Sequence, residues 1–475
     1  MIFTSYEFLI FLVIVFSAYW LLERRFQNIL LVIAGYFFYG WWNWRFLFLL
    51  FASTTIDFVA GLAIASTENE KKRRLFLALS LGANIGILGF FKYFNFFISS
   101  VRDLLGAFGA SDISLTTLSI ILPIGISFYT FQSMSYAIDI YRRKLTPTKD
   151  FIQFAAFVSF FPQLVAGPIE RATHMLEQFA RDRHFEPHAA FDAIKRIFWG
   201  FFKKIIFADN FGVVVALIYG QTNGYSGWEL ILATVFFAFQ IYFDFSAYSD
   251  IAIGTARLFG FSLVKNFDYP YFSKNIIQFW QKWHISLTSW FRDYIFIPLG
   301  GSRTSLPKYI RNILIVFLVS GLWHGANWTF IAWGLLHGLT FIPYAISSTR
   351  ERYRKEKTAD ATLRDLPNIL LTFLIVLTGW VFFRAASIRE SFHILGSIIT
   401  KTTFATFPGW SLLYPTWLIA LAFIIVVEWL QRRRDHPLDF AGKSRPFRIG
   451  VYFTMILASL LIGGFSFVPF IYFQF

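Results

Sequence analysis

Long apolar runs, each closed by a short polar turn, set the rhythm of this chain. They predict membrane-spanning helices near 8–22, 28–42, 46–65, 75–98, 119–141, 192–220, 228–260, 312–330, 331–347, 367–386, 412–430 and 448–470. That is about twelve candidate spans by the apolar pattern. Basic clusters fall at alternate ends: Arg24-Arg25, Lys71-Lys72-Arg73-Arg74, Arg142-Arg143-Lys144, Arg350 to Lys357, and Arg432-Arg433-Arg434. The positive-inside rule places all of them in the cytoplasm and both termini outside. The first run has no basic leader and no small-residue cleavage signal, so it reads as a retained span. Nothing divides the chain, and residues 1–475 read as a single all-α polytopic membrane domain.

Several stretches depart from a plain span. Residues 151–166 are apolar but short and end in Phe161-Pro162 and Gly167-Pro168, which predicts a re-entrant hairpin. Residues 99–118 read as a Gly/Ser/Thr-rich outside loop. The span at 119–141 carries Ser127, Thr130, Gln132, Ser133 and Ser135, so it should face protein rather than lipid. The span at 192–220 holds Lys195-Arg196 and Lys203-Lys204 and reads as amphipathic at its inner end. Asp244 and Asp250 lie inside the next span and need partners if buried. Residues 261–311 mix three tryptophans with polar residues, which predicts interfacial or half-buried helices.

Composition agrees with the pattern. Of 475 residues, 56% are hydrophobic and only 15% charged, against about 25% charged in soluble domains. The net charge of +15 sits in short runs between apolar segments. That suits loops beside anionic lipid rather than a nucleic-acid surface. The absence of cysteine excludes disulfides, thiolate metal sites and a Cys nucleophile. No His-x3-His or Glu-x-x-His pair stands in an apolar segment, so no metal site is expected.

The densest chemistry lies in Ser320-Gly-Leu-Trp-His-Gly-Ala-Asn-Trp-Thr-Phe-Ile-Ala-Trp-Gly-Leu-Leu-His-Gly338. An ionisable side chain at membrane depth marks a candidate site. As one helix this stretch would put His324, Asn327 and Trp328 on a shared face. His324 and His337 would then stand roughly 20 Å apart along the axis, so one centre cannot use both unless the helix breaks. His324 is either a hydrogen-bonded packing residue or a neutral base for a hydroxyl, with Gly325 leaving room for a close approach. His337 reads as a packing residue. In Gln278-Phe-Trp-Gln-Lys-Trp-His-Ile-Ser-Leu-Thr-Ser-Trp290, a helix would align Gln281, His284 and Thr288. His284 either faces headgroups or polarises a carbonyl. His174, His184, His188, His393 and His436 read as loop or span-end residues. Arg303, Lys308 and Arg311 offer charge for a nucleotide or phosphopantetheine phosphate, or simply obey the inside rule.

Five motifs carry a resemblance: Phe160-Phe-Pro-Gln-Leu-Val-Ala-Gly-Pro-Ile-Glu170, Tyr242-Phe-Asp-Phe-Ser-Ala-Tyr-Ser-Asp250, Phe279-Trp-Gln-Lys-Trp-His-Ile-Ser-Leu287, Ile297-Pro-Leu-Gly-Gly-Ser-Arg303 and Gly321-Leu-Trp-His-Gly-Ala-Asn-Trp328. They resemble the membrane-bound O-acyltransferase family, in its bacterial alginate O-acetyltransferase-type branch, with teichoic-acid D-alanyl transferases as more distant relatives. The resemblance implies a ring of helices around a central funnel. It implies His324 as the catalytic histidine and His284 as the second signature position. Asn327, Trp323, Trp283, Gln281 and Arg303 are the expected substrate or donor contacts. It further implies an acyl thioester, acetyl-CoA or an acyl carrier protein, as co-substrate, with no tightly bound cofactor. The expected acceptor is an exported polysaccharide, reached directly or through a periplasmic or extracellular SGNH-type acetyltransferase. The setting it implies is a bacterial inner membrane. A D-alanyl, lipid or protein acyltransferase is the rival enzyme, and a transporter using Asp244 and Asp250 is the rival from another class.

Overall fold

A computed structural model describes residues 1–109, 116–165, 167–347, 361–403, 413–440, 442–464 and 470–471. The basic run at 350–357, the segment 404–411 and the last four residues lie outside the described residues. Among the described residues all regular structure is helical. Seven helices are long and apolar enough to cross a membrane, and two shorter apolar ones accompany them. The remaining expected spans are short or interrupted by polar and π-helical turns, which is why fewer qualify than the apolar runs predict.

Contacts divide the chain into two compact units. The first comprises Met1–Ala193 and Thr255–Val264. It contains α1 (Tyr6–Tyr19), α2 (Arg24–Gly40), α3 (Leu47–Ala65), α4 (Glu70–Leu88), α5 (Phe94–Ala107) and α6 (Ile126–Tyr141). A π turn joins α4 to α5, so the helix continues through 107 where the sequence reads as loop. Polar residues inside these helices face one another. Asp57 of α3 accepts from Ser80 Oγ (2.5 Å) and Asn84 Nδ2 (2.9 Å) of α4. Arg73, in a run that reads as a solvated loop, is instead buried and donates to the carbonyls of Ile64 and Tyr141 at 2.9 and 2.8 Å. It thereby caps the ends of α3 and α6.

The short apolar segment is two helices, α7 (Phe151–Val158) and α8 (Phe161–Leu164). The carbonyl of Phe157, near the break, accepts from Gln132 (2.9 Å) and Gln163 (2.8 Å). This is how a broken helix survives in a buried setting, and it explains the polar face of α6. The helix α9 (Ala172–Ala180) follows.

The second unit comprises Ile194–Gly254 and Lys265–Phe475. The helix α10 (Pro187–Phe202) passes through a π turn, Lys203–Ala208, into α11 (Asp209–Tyr219). Beside it runs α12 (Gly227–Leu258). The π turn sends two adjacent lysines to three carboxylates. Lys203 Nζ lies 2.7 Å from Asp250 and 2.7 Å from Ser246 Oγ. Lys204 Nζ lies 2.7 Å from Asp209 and 2.9 Å from Asp244. Arg196 adds a second cation to Asp250 at 2.9 Å. Lys203 and Lys204 are therefore buried, which corrects the amphipathic reading of this segment. π turns concentrate at sites that need such an extra residue of register.

Next come α13 (Ile276–Lys282), α14 (Ile285–Phe291), α15 (Leu306–His324) and α16 (Trp328–Ile346). They are followed by α17 (Leu366–Arg384), α18 (Ile388–Thr400), α19 (Leu413–Gln431) and α20 (Arg445–Ile462). Trp280, Trp283 and Trp290 are buried, so 276–291 is core and not an interfacial layer. The hairpin of α15 and α16 is held close by glycine. A Cβ on Gly321 would meet Phe330 O at 2.2 Å, and one on Gly334 would meet Phe317 O at 2.3 Å. Small residues at this spacing let two helix backbones touch.

Candidate active site

The helix expected to run through the histidine-rich stretch breaks after His324. Gly325 is extended (φ −162°), and Asn327 starts α16. Asn327 Oδ1 accepts from Thr329 N–H at 3.0 Å and its Nδ2 donates to Ala386 O at 3.2 Å. His324, Asn327 and Trp328 therefore do not share a helical face. Asn327 is a cap, and Trp328 is exposed. The neighbour that comes close to Gly325 is the Phe330 ring, since a Cβ there would stand 2.0 Å from its Cε2.

His324 is buried at the end of α15. Its ring lies 5.0 Å from Trp323, 5.0 Å from Trp333 and 5.4 Å from Phe383, each edge to face. These contacts fix the ring plane. His337 enters the same cage, 5.1 Å from Trp333 and 5.1 Å from Trp280. The break between α15 and α16 folds the chain back so that one indole, Trp333, touches both imidazoles.

His284 lies between α13 and α14, where the sequence reads as one continuous helix. Its backbone is left-handed (φ 42°, ψ 56°), so Gln281, His284 and Thr288 are not one face. A non-glycine residue rarely adopts this conformation, and where one does the surroundings must enforce it. The imidazole is buried, 4.6 Å from the Phe245 ring and 5.9 Å from Trp323. His284 stands outside the seven apolar helices, and burial pushes its imidazole down to about 3, so it is neutral.

The two rings come together, with centroids 6.4 Å apart and planes inclined at 53°. Forty residues of sequence separate them. Of the other expected contacts, Trp323 packs against both histidines. Trp283 is buried one residue before His284, 5.0 Å from Trp380. Gln281 is half-buried and Arg303 is exposed in the turn before α15. Sequence reasoning missed Asn266, which is wholly buried and bonded to the His284 turn, because it sits in the polar run Lys265-Asn-Phe-Asp268 of a stretch that reads as interfacial or half-buried helices.

A family model described as the membrane-bound O-acyltransferase family matches residues 143–383, which include both histidine turns. The chain is 36% identical to the probable alginate O-acetylase AlgI of Pseudomonas putida over the whole of both chains. It is 34% identical to the peptidoglycan O-acetyltransferase of Helicobacter pylori over 82% of this chain and 78% of that protein. It is 30% identical to the teichoic acid D-alanyltransferase of Bacillus subtilis over 46% of this chain and 58% of the relative.

Proposed function

On the premise that the chain belongs to the membrane-bound O-acyltransferase family and is a multi-pass membrane acyltransferase, we propose that it passes an acetyl group from a cytoplasmic thioester to hydroxyls of an exported polysaccharide. The observation that carries this reading is the pair of imidazoles 6.4 Å apart. His324 takes the proton from the attacking hydroxyl as its oxygen bonds to the thioester carbon. His284, kept neutral, donates to the developing oxyanion. When the carbon–sulfur bond breaks, His324 returns the proton to the thiolate, so the cycle needs no net proton. Transfer runs either to the polymer itself or to an acetyltransferase beyond the membrane. The donor is acetyl-CoA or an acyl carrier protein. The setting is a bacterial inner membrane with the basic loops inside and both termini outside. Cysteine labelling tests that topology, since the chain has no native cysteine. Labelling of residue 72 by an impermeant reagent outside intact cells would overturn it.

The test of the chemistry is acetyl incorporation per folded molecule in His324→Gln and His284→Gln. A positioned base contributes about a hundred- to ten-thousandfold, and His324→Gln should lose that much. Full activity in this variant refutes the assignment. Labelled D-alanyl thioester run in parallel separates the rival enzyme: transfer of D-alanine and not acetate changes the substrate. A proton-coupled transporter is disfavoured, because Asp244 and Asp250 are clamped by Lys204, Lys203 and Arg196.

A further inference from the structure

The strained backbone of His284 raises the question of what holds it. Residue 284 occupies the position before α14 from which a side chain ordinarily accepts the first free N–H groups of the helix. His284 makes no such bond. The acceptors come from across the fold. Asn266 O accepts from Ile285 N–H at 2.9 Å. Asn266 Oδ1 accepts from Ser286 Oγ at 2.9 Å and from Ser286 N–H at 3.3 Å. On its other side Asn266 Nδ2 donates to Ser249 Oγ of α12 at 3.2 Å. Two residues further, Asp268 N–H donates to Lys282 O at 3.0 Å, so the strip 266–268 brackets Trp283 and His284 from both ends. The Ser286 N–H can only donate, which fixes the orientation of the Asn266 amide.

We propose that Asn266 is a positioning residue that caps α14 in place of His284. The imidazole is thereby released from capping and turned towards His324. The inference rests on the reading that His284 serves acyl transfer, but its structural half stands apart from that reading. An amide suits this place because it offers an acceptor to Ser286 and a donor to Ser249 at once. Aspartate keeps the acceptors and can take the Ser249 hydroxyl as donor. Alanine keeps only the backbone carbonyl.

Two measurements test it. In hydrogen exchange on the full chain, Asn266→Ala should deprotect the amide of Ser286 and leave Ile285, bonded to the backbone carbonyl, as the internal reference, while Asn266→Asp should keep both. In acetyl transfer from a labelled acetyl thioester, Asn266→Ala should lower kcat by about ten- to a hundredfold, the loss expected when a reacting group moves by an ångström. KM should stay within about twofold and Asn266→Asp should restore most of kcat. Should Asn266→Ala fail to accumulate, Ser249→Ala carries the same readouts with a smaller loss of kcat. Unchanged exchange at 286 overturns the cap. Deprotection with kcat intact overturns the positioning role, as does a loss that appears in KM alone. Full activity in His284→Gln refutes instead the functional reading of His284.

Discussion

His324 ends a long apolar helix and His284 precedes a seven-residue one, and the two turns are built by opposite means. Around His324 the backbone is ordinary and the fit is tight: Gly325 has no room for a methyl group, and three aromatic rings close on the imidazole. Around His284 the backbone is strained and the fixing is polar, through Asn266 and its bonds to residues 285 and 286. The lesson is that two side chains can meet within one small site while depending on different kinds of interaction. Each turn should therefore fail under a different perturbation.

The largest effect is expected at Gly325. Gly325→Ala forces the Phe330 ring aside, and overpacking of this kind costs about 1–3 kcal/mol. Thermal unfolding should fall by several degrees and acetyl transfer should fall with it. A fully stable, active variant would show that packing does not hold the His324 turn. His337→Ala comes next. It removes a buried ring between Trp280 and Trp333, at about 2 kcal/mol by analogy with other large-to-small changes. Because Trp333 also supports His324, specific activity should drop as well, so His337 is no neutral control. A denaturant series with activity measured on the folded fraction separates the two effects.

A smaller difference sharpens the polar side of the comparison. His284→Gly and His284→Ala should both lose transfer, yet the glycine variant should be more stable by about 1 kcal/mol. Glycine enters the left-handed region freely, and alanine does not. Equal midpoints would mean that the turn relaxes when the ring is gone. The smallest effect lies outside both turns. Glu170 accepts from His174 at 2.8 Å, and that hydrogen bond raises the His174 pKa above its ordinary value. The raised folded value means the charged form is favoured in the fold. Its contribution is complete below the unfolded value of about 6.5, and it fades as pH rises through the folded one. The ring is partly exposed, so the change should be slight. Melting curves across that range should flatten in His174→Gln, and an unchanged slope would remove the pair from the account.

Much of this was readable from residue order. Apolar period and basic clusters marked the helices, and the glycine- and tryptophan-flanked histidines marked the candidate site. The motifs then tied His284 and His324 to one family. What was not readable was continuity. Nothing in Trp-His-Ile or Trp-His-Gly alone announces a break, because both breaks are held by partners outside these triplets: Asn266 for one, and Ala386 and the nearby Phe330 for the other. A helix-period pattern therefore placed Gln281, Thr288, Asn327 and Trp328 on faces that do not exist. Lys203 and Lys204 were misread for a related reason. Two lysines beside an apolar run look like a membrane edge until the carboxylates opposite them are known.

Those lysines have a consequence for how the chain enters the bilayer. On insertion scales each lysine or aspartate at the centre of a helix costs about 2.5–3.5 kcal/mol. The segment 187–219 carries Lys203 and Lys204, and the segment 227–258 carries Asp244 and Asp250. Alone, the first is a poor substrate for the insertion machinery, since it is not among the helices long and apolar enough to cross a membrane. Together, Lys203 meets Asp250 and Lys204 meets Asp244. The two helices should therefore be accepted as a hairpin and not one after the other as they leave the ribosome. A chain truncated after residue 224 should leave its last helix outside the hydrocarbon, whereas one truncated after residue 260 should hold both helices in it. Glycosylation mapping of the two truncations distinguishes them. Synthesis of this enzyme then contains an interval in which a whole helix waits at the membrane for the next one.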